Sequence, residues 1–317
     1  MSNRRLEIVL ATAVVLLGAL WVRAIYVPSF ADRHVAASED RYHFDVGEPG
    51  DWFSAWSLGD GQAYVLIALD PSGHKLDEEV KISAYRFTRA GYGWAGWVFS
   101  LGKAEAVPYA LALVGALGLI ANLVLAVMLR GRMGPRAWLL ILNPALYVGF
   151  AGDTSEPLGL LFLTLALGSA SWVAAVLLGV TRPTYLVALW GRWRTFLPGV
   201  ASAVLLVAYG VLVLQPRVIA PGGGLALPFV AYFEQWSIWG VLLGIAALGT
   251  LAFGLRARDW AWVLGSALVL CFGVEVLANP VNAWRTAGFL PVMWAFGPGY
   301  VPAVVSSSPV ATESVGT

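Results

Sequence analysis

Long apolar runs alternate with short polar breaks along this chain, and one polar stretch is far longer than the others. The run from Ile8 to Trp21 follows Arg4 and Arg5 and is long for a secretory signal. No small-x-small cleavage pattern follows it, since Trp21, Val22 and Arg23 come next. It reads as an uncleaved first transmembrane helix over about 7–27, with the N-terminus cytoplasmic. The polar stretch 28–104 holds 11 of the 19 acidic residues and all three histidines, His34, His43 and His74. A second span over 106–129 ends at RGRMGPR (130–136), whose three arginines mark a cytoplasmic loop. By the positive-inside rule, 28–104 is therefore extracytoplasmic.

The third apolar stretch, 137–150, contains Asn143-Pro144, which predicts a kink. It leads to AGDTSEP (151–157) on the outer side. Residues 158–194 are too long for one helix and are interrupted by small residues and Pro183. They must cross an odd number of times to reach the basic cluster Arg192–Arg194, so we expect three short helices, with TRP (181–183) in the outer half of the membrane. Spans over about 196–214, 237–255 and 260–278 follow. The last apolar stretch, 287–304, carries Pro291, Gly297 and Pro298. The expected architecture is an all-α polytopic membrane protein of about nine transmembrane helices, forming one domain over 1–305 with a disordered Ser/Thr-containing tail over 306–317.

Composition agrees with that class. Hydrophobic residues make up 59% of the chain, charged residues 12%, and mean hydropathy is +0.73. A soluble chain carries about a quarter charged residues. A membrane β-barrel is excluded because its short alternating segments are absent. A net charge of +1, with most arginines beside apolar spans, gives no basic stripe for nucleic acid. The 15 tryptophans gather near span ends and in loops, as interfacial anchors do. The single cysteine, Cys271, lies in an apolar run and reads as a core residue. The histidines have no ligand-like spacing, so no metal site and no cofactor is expected.

Under this topology the polar residues that converge on the outer face are Asp60, Tyr85, Arg86, Arg89, Asp153, Glu156, Arg182 and Arg285. Glu275 is the deepest candidate within the spans, and this shortage of mid-membrane charge weighs against a proton-driven transporter. Each outer residue also has a plain structural reading. Asp60 suits a helix N-cap, Glu156 suits the N-terminal dipole of the helix after Pro157, and Arg182 suits a snorkelling interfacial position. The run AYVLIAL (63–69) places Tyr64, Ile67 and Ala68 near one helical face. Carrying no charge, the helix 61–69 is expected to lie half sunk in the outer interface as an interfacial amphipathic helix, with Asp60 at bilayer height.

The order of these motifs resembles C-type polytopic membrane glycosyltransferases, in particular the group related to the second GPI mannosyltransferase. Bacterial members of that group show DG-x-x-Y-x-x-IA-x-DP followed by YR-x-x-R. Here these stand as Asp60, Gly61, Tyr64, Ile67, Ala68, Asp70 and Pro71, then Tyr85, Arg86 and Arg89. An early NP, an outward DTSEP, a TRP turn and a late outward arginine complete the order. The resemblance covers residues 56–195 well and the C-terminal third loosely. It implies a polyprenyl-phosphate sugar donor, an inverting transfer on the extracytoplasmic side, and a glycan, lipid or protein acceptor. It further implies Asp60 as general base, Arg86, Arg89, Arg182 and Arg285 as donor-phosphate ligands, and Tyr64, Tyr85, Asp153 and Glu156 as substrate-orienting groups. The sugar it suggests is mannose, and the compartment it suggests is a bacterial inner membrane.

For that class the chain is short and is expected to lack a soluble C-terminal domain, and its first loop has one well-placed acid rather than an adjacent pair. Two other readings therefore stay open: a non-catalytic membrane subunit of a cell-envelope glycan assembly system, and a lipid or small-solute transporter.

Overall fold

The computed structural model describes residues 3–38, 60–73, 87–152, 154–212, 238–272, 277 and 280–300. Among the described residues every regular element is helical. The long helices follow from uninterrupted apolar sequence closed by specific terminators. Helix α1 runs Asn3–Ser38, well past the end expected at 27. After α2 (Asp60–Leu69) and α3 (Gly91–Phe99), helix α4 covers Val107–Met133. Pro108 sits in its first turn, where no backbone N–H is needed. Arg130 and Arg132 face the negative end of its dipole, and Gly134 ends it at a φ of 62°.

Elsewhere the apolar sequence is cut into shorter pieces. A 3-10 helix, Gly134–Leu140, is followed by a break and then by α5 (Pro144–Ala151). The break is chemical: Asn143 is extended, its side chain accepts from the Ala145 N–H, and Pro144 starts the new helix. Residues 156–189 form α6 (Glu156–Ser169), α7 (Trp172–Thr181) and a second 3-10 helix, Pro183–Leu189. Left-handed Ala170 turns the chain between the first two, and Arg182, non-helical at φ −149° and ψ 72° before a proline, separates the last two. Then come α8 (Trp193–Leu212), α9 (Ile238–Ala257), α10 (Trp260–Leu270), α11 (Pro280–Thr286) and α12 (Phe289–Phe296).

Four helical stretches are long and apolar enough to cross a membrane: Arg5–Ala24, Ala104–Leu140, Trp193–Leu212 and Gly240–Ala257. Side chains such as Leu17 and Trp21 on α1, Leu205 and Leu212 on α8 and Ile245 on α9 face outward. So much exposed apolar surface is untenable in water and suits lipid. These helices point to an integral membrane protein. Of the about nine spans expected, these four are the ones long and apolar enough to cross a membrane among the described residues. Their remaining apolar sequence forms short helices and helix–3-10 pairs, because Asn143-Pro144, Ala170 and Arg182-Pro183 interrupt it.

One correction concerns α2. It was expected to be half exposed at an interface, yet Ala63 to Ala68 are all buried and Ile67 is 0% exposed. Its sequence is apolar on every side, and α3 closes over it through glycines 93 and 96. Tyr64, Val65, Ile67, Phe87, Tyr92 and Leu111 form a packed cluster around it. The helix is a core element, not an amphipathic surface one.

Two ends of the molecule can be traced through polar contacts. At one, Glu7 of α1 accepts from Arg130 and Trp138, both at 3.1 Å. Arg136 lies against Gly297, Gly299 N–H donates to Asp259 at 2.9 Å, and Arg192 donates to the Tyr300 carbonyl at 2.9 Å. The basic loops 130–136, 192–194 and 256–259 therefore share one end. At about 1.5 Å per residue, Arg23 stands about 24 Å along α1 from Glu7, and it marks the other end.

Candidate functional site

The other end is built around Glu156, the first residue of α6, which is 0% exposed. An acid there faces the positive end of the helix dipole. Its Oε1 accepts from Arg285 Nε at 2.6 Å and pairs with Arg182 Nη2 at 2.8 Å. Its Oε2 accepts the hydroxyl of Thr154. One carboxylate thus joins guanidinium groups from two distant parts of the chain, all of them buried. Isolated, each charge would be very costly out of water; together they are held by mutual attraction and charge-assisted hydrogen bonds.

Missing side chains make the convergence possible. A Cβ at Gly149 of α5 would meet Pro157 Cδ at 2.7 Å and Glu156 Cβ at 2.8 Å. One at Gly159 would meet Arg182 Cβ at 2.8 Å. The backbones of α5 and α6 can therefore approach closely, and Arg182 lies flat along α6.

Arg182 occupies the break between α7 and the second 3-10 helix, with its guanidinium 5.6 Å from the Tyr185 ring centre. Its Nε is buried and has no hydrogen-bond partner among the described residues. An arginine is always charged, so this Nε–H stays a cationic donor while Nη2 of the same group holds Glu156. Leaving such a group unmet costs about 1–3 kcal/mol or more. Arg285 lies in the last turn of α11, and its own carbonyl accepts the Tyr185 hydroxyl at 2.7 Å.

Helix α2 is tied to this cluster through Tyr64, whose hydroxyl donates to Ser155 Oγ at 2.9 Å. The Tyr64 ring packs edge-on to Tyr92 at 5.2 Å, and the Tyr92 hydroxyl donates to the Leu111 carbonyl at 2.7 Å. Arg23 closes the same end from α1: its Nη1 donates to the Phe150 carbonyl at 2.8 Å, beside Gly149.

Of the residues singled out from sequence, Glu156, Arg182 and Arg285 touch directly, and Tyr64 joins them through Ser155. Arg182 is 2% exposed, which rules out a snorkelling interfacial arginine. Arg89 is buried two residues before Gly91, which abuts Val180 and Thr181, next to Arg182. Asp60 is the first residue of α2, one turn before Tyr64, and its side chain lies outside the described residues. Tyr85, Arg86, Asp153 and Glu275 also lie outside them, as do the side chains of His34, His43 and His74. Among the described residues no group of three or more His, Cys, Asp or Glu is placed to hold a metal ion.

No family model, curated protein or solved structure matches this chain. The site therefore rests on its own chemistry. Four of its members carry no strong mark in the sequence. Thr154 and Ser155 belong to the polar run DTSEP, which singled out its two acids but not its hydroxyls. Tyr185 follows TRP by two positions, and Arg23 reads as the flank of a span. Glu156 has both oxygens engaged, so it acts as an anchor for cations, and the open donor is Arg182 Nε.

Proposed function

We propose that this protein is an inverting glycosyltransferase acting at the membrane. It takes a sugar from a polyprenyl phosphate, with mannose the first sugar to try, and gives it to a glycan, lipid or protein acceptor on the extracytoplasmic face. The observation that carries this reading is the buried Arg182, clamped by Glu156 and left with an unmet Nε–H donor. Charge-assisted bonds from arginine are well matched to phosphate oxygens. A lipid-linked phosphate also explains why such a donor sits within apolar helices rather than on a surface.

The chemistry follows from the groups at this end. Asp60, placed one turn before Tyr64, takes the proton from the acceptor hydroxyl as its oxygen attacks the anomeric carbon. The bond from that carbon to the phosphate oxygen breaks on the opposite face, and the electron pair stays on the phosphate. Arg182, with Arg285 beside it, stabilises the charge that collects there, an effect worth most in a site that excludes water. Arg86 and Arg89 add phosphate contacts in this reading, and Tyr85 and Asp153 orient the acceptor; the resemblance of YRFTR and DTSEP to the glycosyltransferase pattern supports those roles. Opposite-face attack inverts the anomeric centre, so no glycosyl-enzyme intermediate is needed.

The test is direct. The purified protein in liposomes is given a panel of polyprenyl-phosphate sugars with a glycan acceptor, and released polyprenyl phosphate is measured. One panel member should be consumed, and Asp60→Asn should slow its turnover by about 100-fold or more while still binding the lipid. Turnover of none of them, or an Asp60→Asn variant as fast as the parent, removes the reading. A second reading, a non-catalytic membrane subunit of a glycan assembly system, is favoured by one fact: Glu156 has both oxygens engaged by neighbours, as in a purely structural ion-pair network. It predicts no turnover, and unchanged glycan output from Asp60→Asn.

A further inference from the structure

We infer that Tyr185 and Asn143 are positioning residues that hold the turn 285–288, and with it the Arg285 guanidinium, against Glu156. Both side chains are 0% exposed, and each reaches a carbonyl far away in sequence. Tyr185 donates its hydroxyl to the Arg285 carbonyl at 2.7 Å. Asn143 donates its amide to the Gly288 carbonyl at 2.6 Å while its oxygen caps α5 through the Ala145 N–H at 3.1 Å.

The turn needs such anchors. Helix α11 is only Pro280–Thr286, and beyond it the last turn is closed by single backbone bonds, from Ala287 N–H to the Ala283 carbonyl at 3.0 Å and from Gly288 N–H to the Arg285 carbonyl at 3.2 Å. A free α11–α12 corner would let Arg285 leave the carboxylate by rotation of a short element. The two anchors stand at or just after two of the chain breaks, Asn143-Pro144 and Arg182-Pro183, so both of these interruptions serve one corner. The fit is close: a Cβ on Gly288 would meet the Tyr185 hydroxyl at 2.6 Å and Ala145 Cβ at 2.7 Å. Tyr185 also lies under Arg182 through its ring. Its hydroxyl therefore governs one arginine and its ring the other. The consequence for ligand binding rests on the phosphate site proposed above; the positioning itself does not.

The test uses Tyr185→Phe, which keeps the ring, and Asn143→Ser, which keeps a capping oxygen but loses the amide donor. Folded protein in detergent is treated with phenylglyoxal, and modification of individual arginines is followed by mass spectrometry. Arg285 should be modified about tenfold faster in each variant, the scale of one lost hydrogen bond, while Arg182 keeps its parental rate. Binding of a long-chain polyprenyl phosphate should weaken by a similar factor, and Tyr185→Phe should add nothing in an Arg285→Ala background. If Arg285 keeps its parental rate in both variants, or Arg182 is released with it, the positioning claim is overturned. If the parent binds no polyprenyl phosphate while Arg285 is still selectively released, the positioning stands and the phosphate reading falls.

Discussion

The two ends of this molecule handle charge in opposite ways. At the basic end, the Glu7–Arg130 pair is open to the surroundings, with side-chain exposures of 38% and 36%. At the other end, the Glu156–Arg182 pair shows 0% and 3%, and Arg285 only 9%. Open pairs hold helix ends together weakly and are screened by salt. Enclosed pairs cost much more to assemble, and removing one partner leaves a buried charge uncompensated. The difference separates an end whose ion pair stays open from an end whose ion pairs are enclosed by the fold.

The sharpest way to break that contrast is Glu156→Gln, which leaves two enclosed guanidinium groups without their carboxylate. It should destabilise the protein by about 3–5 kcal/mol, seen as a large drop in thermal unfolding temperature in detergent. A methyl group at Gly159 comes next. Gly159→Ala drives a Cβ against Arg182, and should cost about 1–3 kcal/mol through overpacking and slow sugar transfer by more than that loss explains. The contrast is sharpened by replacing the cluster as a unit. The triple change Glu156→Leu, Arg182→Met, Arg285→Met should recover most of the stability lost in Glu156→Gln, since apolar packing can replace a buried ion network. It should transfer no sugar. A triple variant that still turns over substrate would make the cluster structural alone. Smallest is Glu7→Ala at the open end, which should cost less than about 1 kcal/mol and leave transfer unchanged.

How much of this was legible in the sequence depended on how local each cause is. Helix α4 was readable because a 27-residue apolar helix with Pro108 near its start and Arg130 and Arg132 in its last turn declares itself. The break at Asn143-Pro144 was readable as a kink, and it proved to be a full interruption with its own cap. The α2 segment was located but its surroundings were misjudged. A helix that is apolar all round looks the same whether lipid or protein covers it, and its cover comes from α3 and α4. Glu156, Arg182 and Arg285 drew attention as charges among apolar residues, yet their meeting is a tertiary fact. Tyr185 gave no signal and Asn143 only that of a kink, because their partners lie 100 and 145 residues away.

The central claim is that the enclosed arginine end receives a lipid-linked phosphate through Arg182. Equilibrium binding of a long-chain polyprenyl phosphate to the purified protein, compared with Arg182→Ala and the milder Arg182→Gln, tests it most directly. The account predicts specific binding by the parent and a loss of about 100-fold or more in both variants, with the unfolding temperature tracked to confirm that they are folded. Folded Arg182 variants that bind the lipid as tightly as the parent would contradict it.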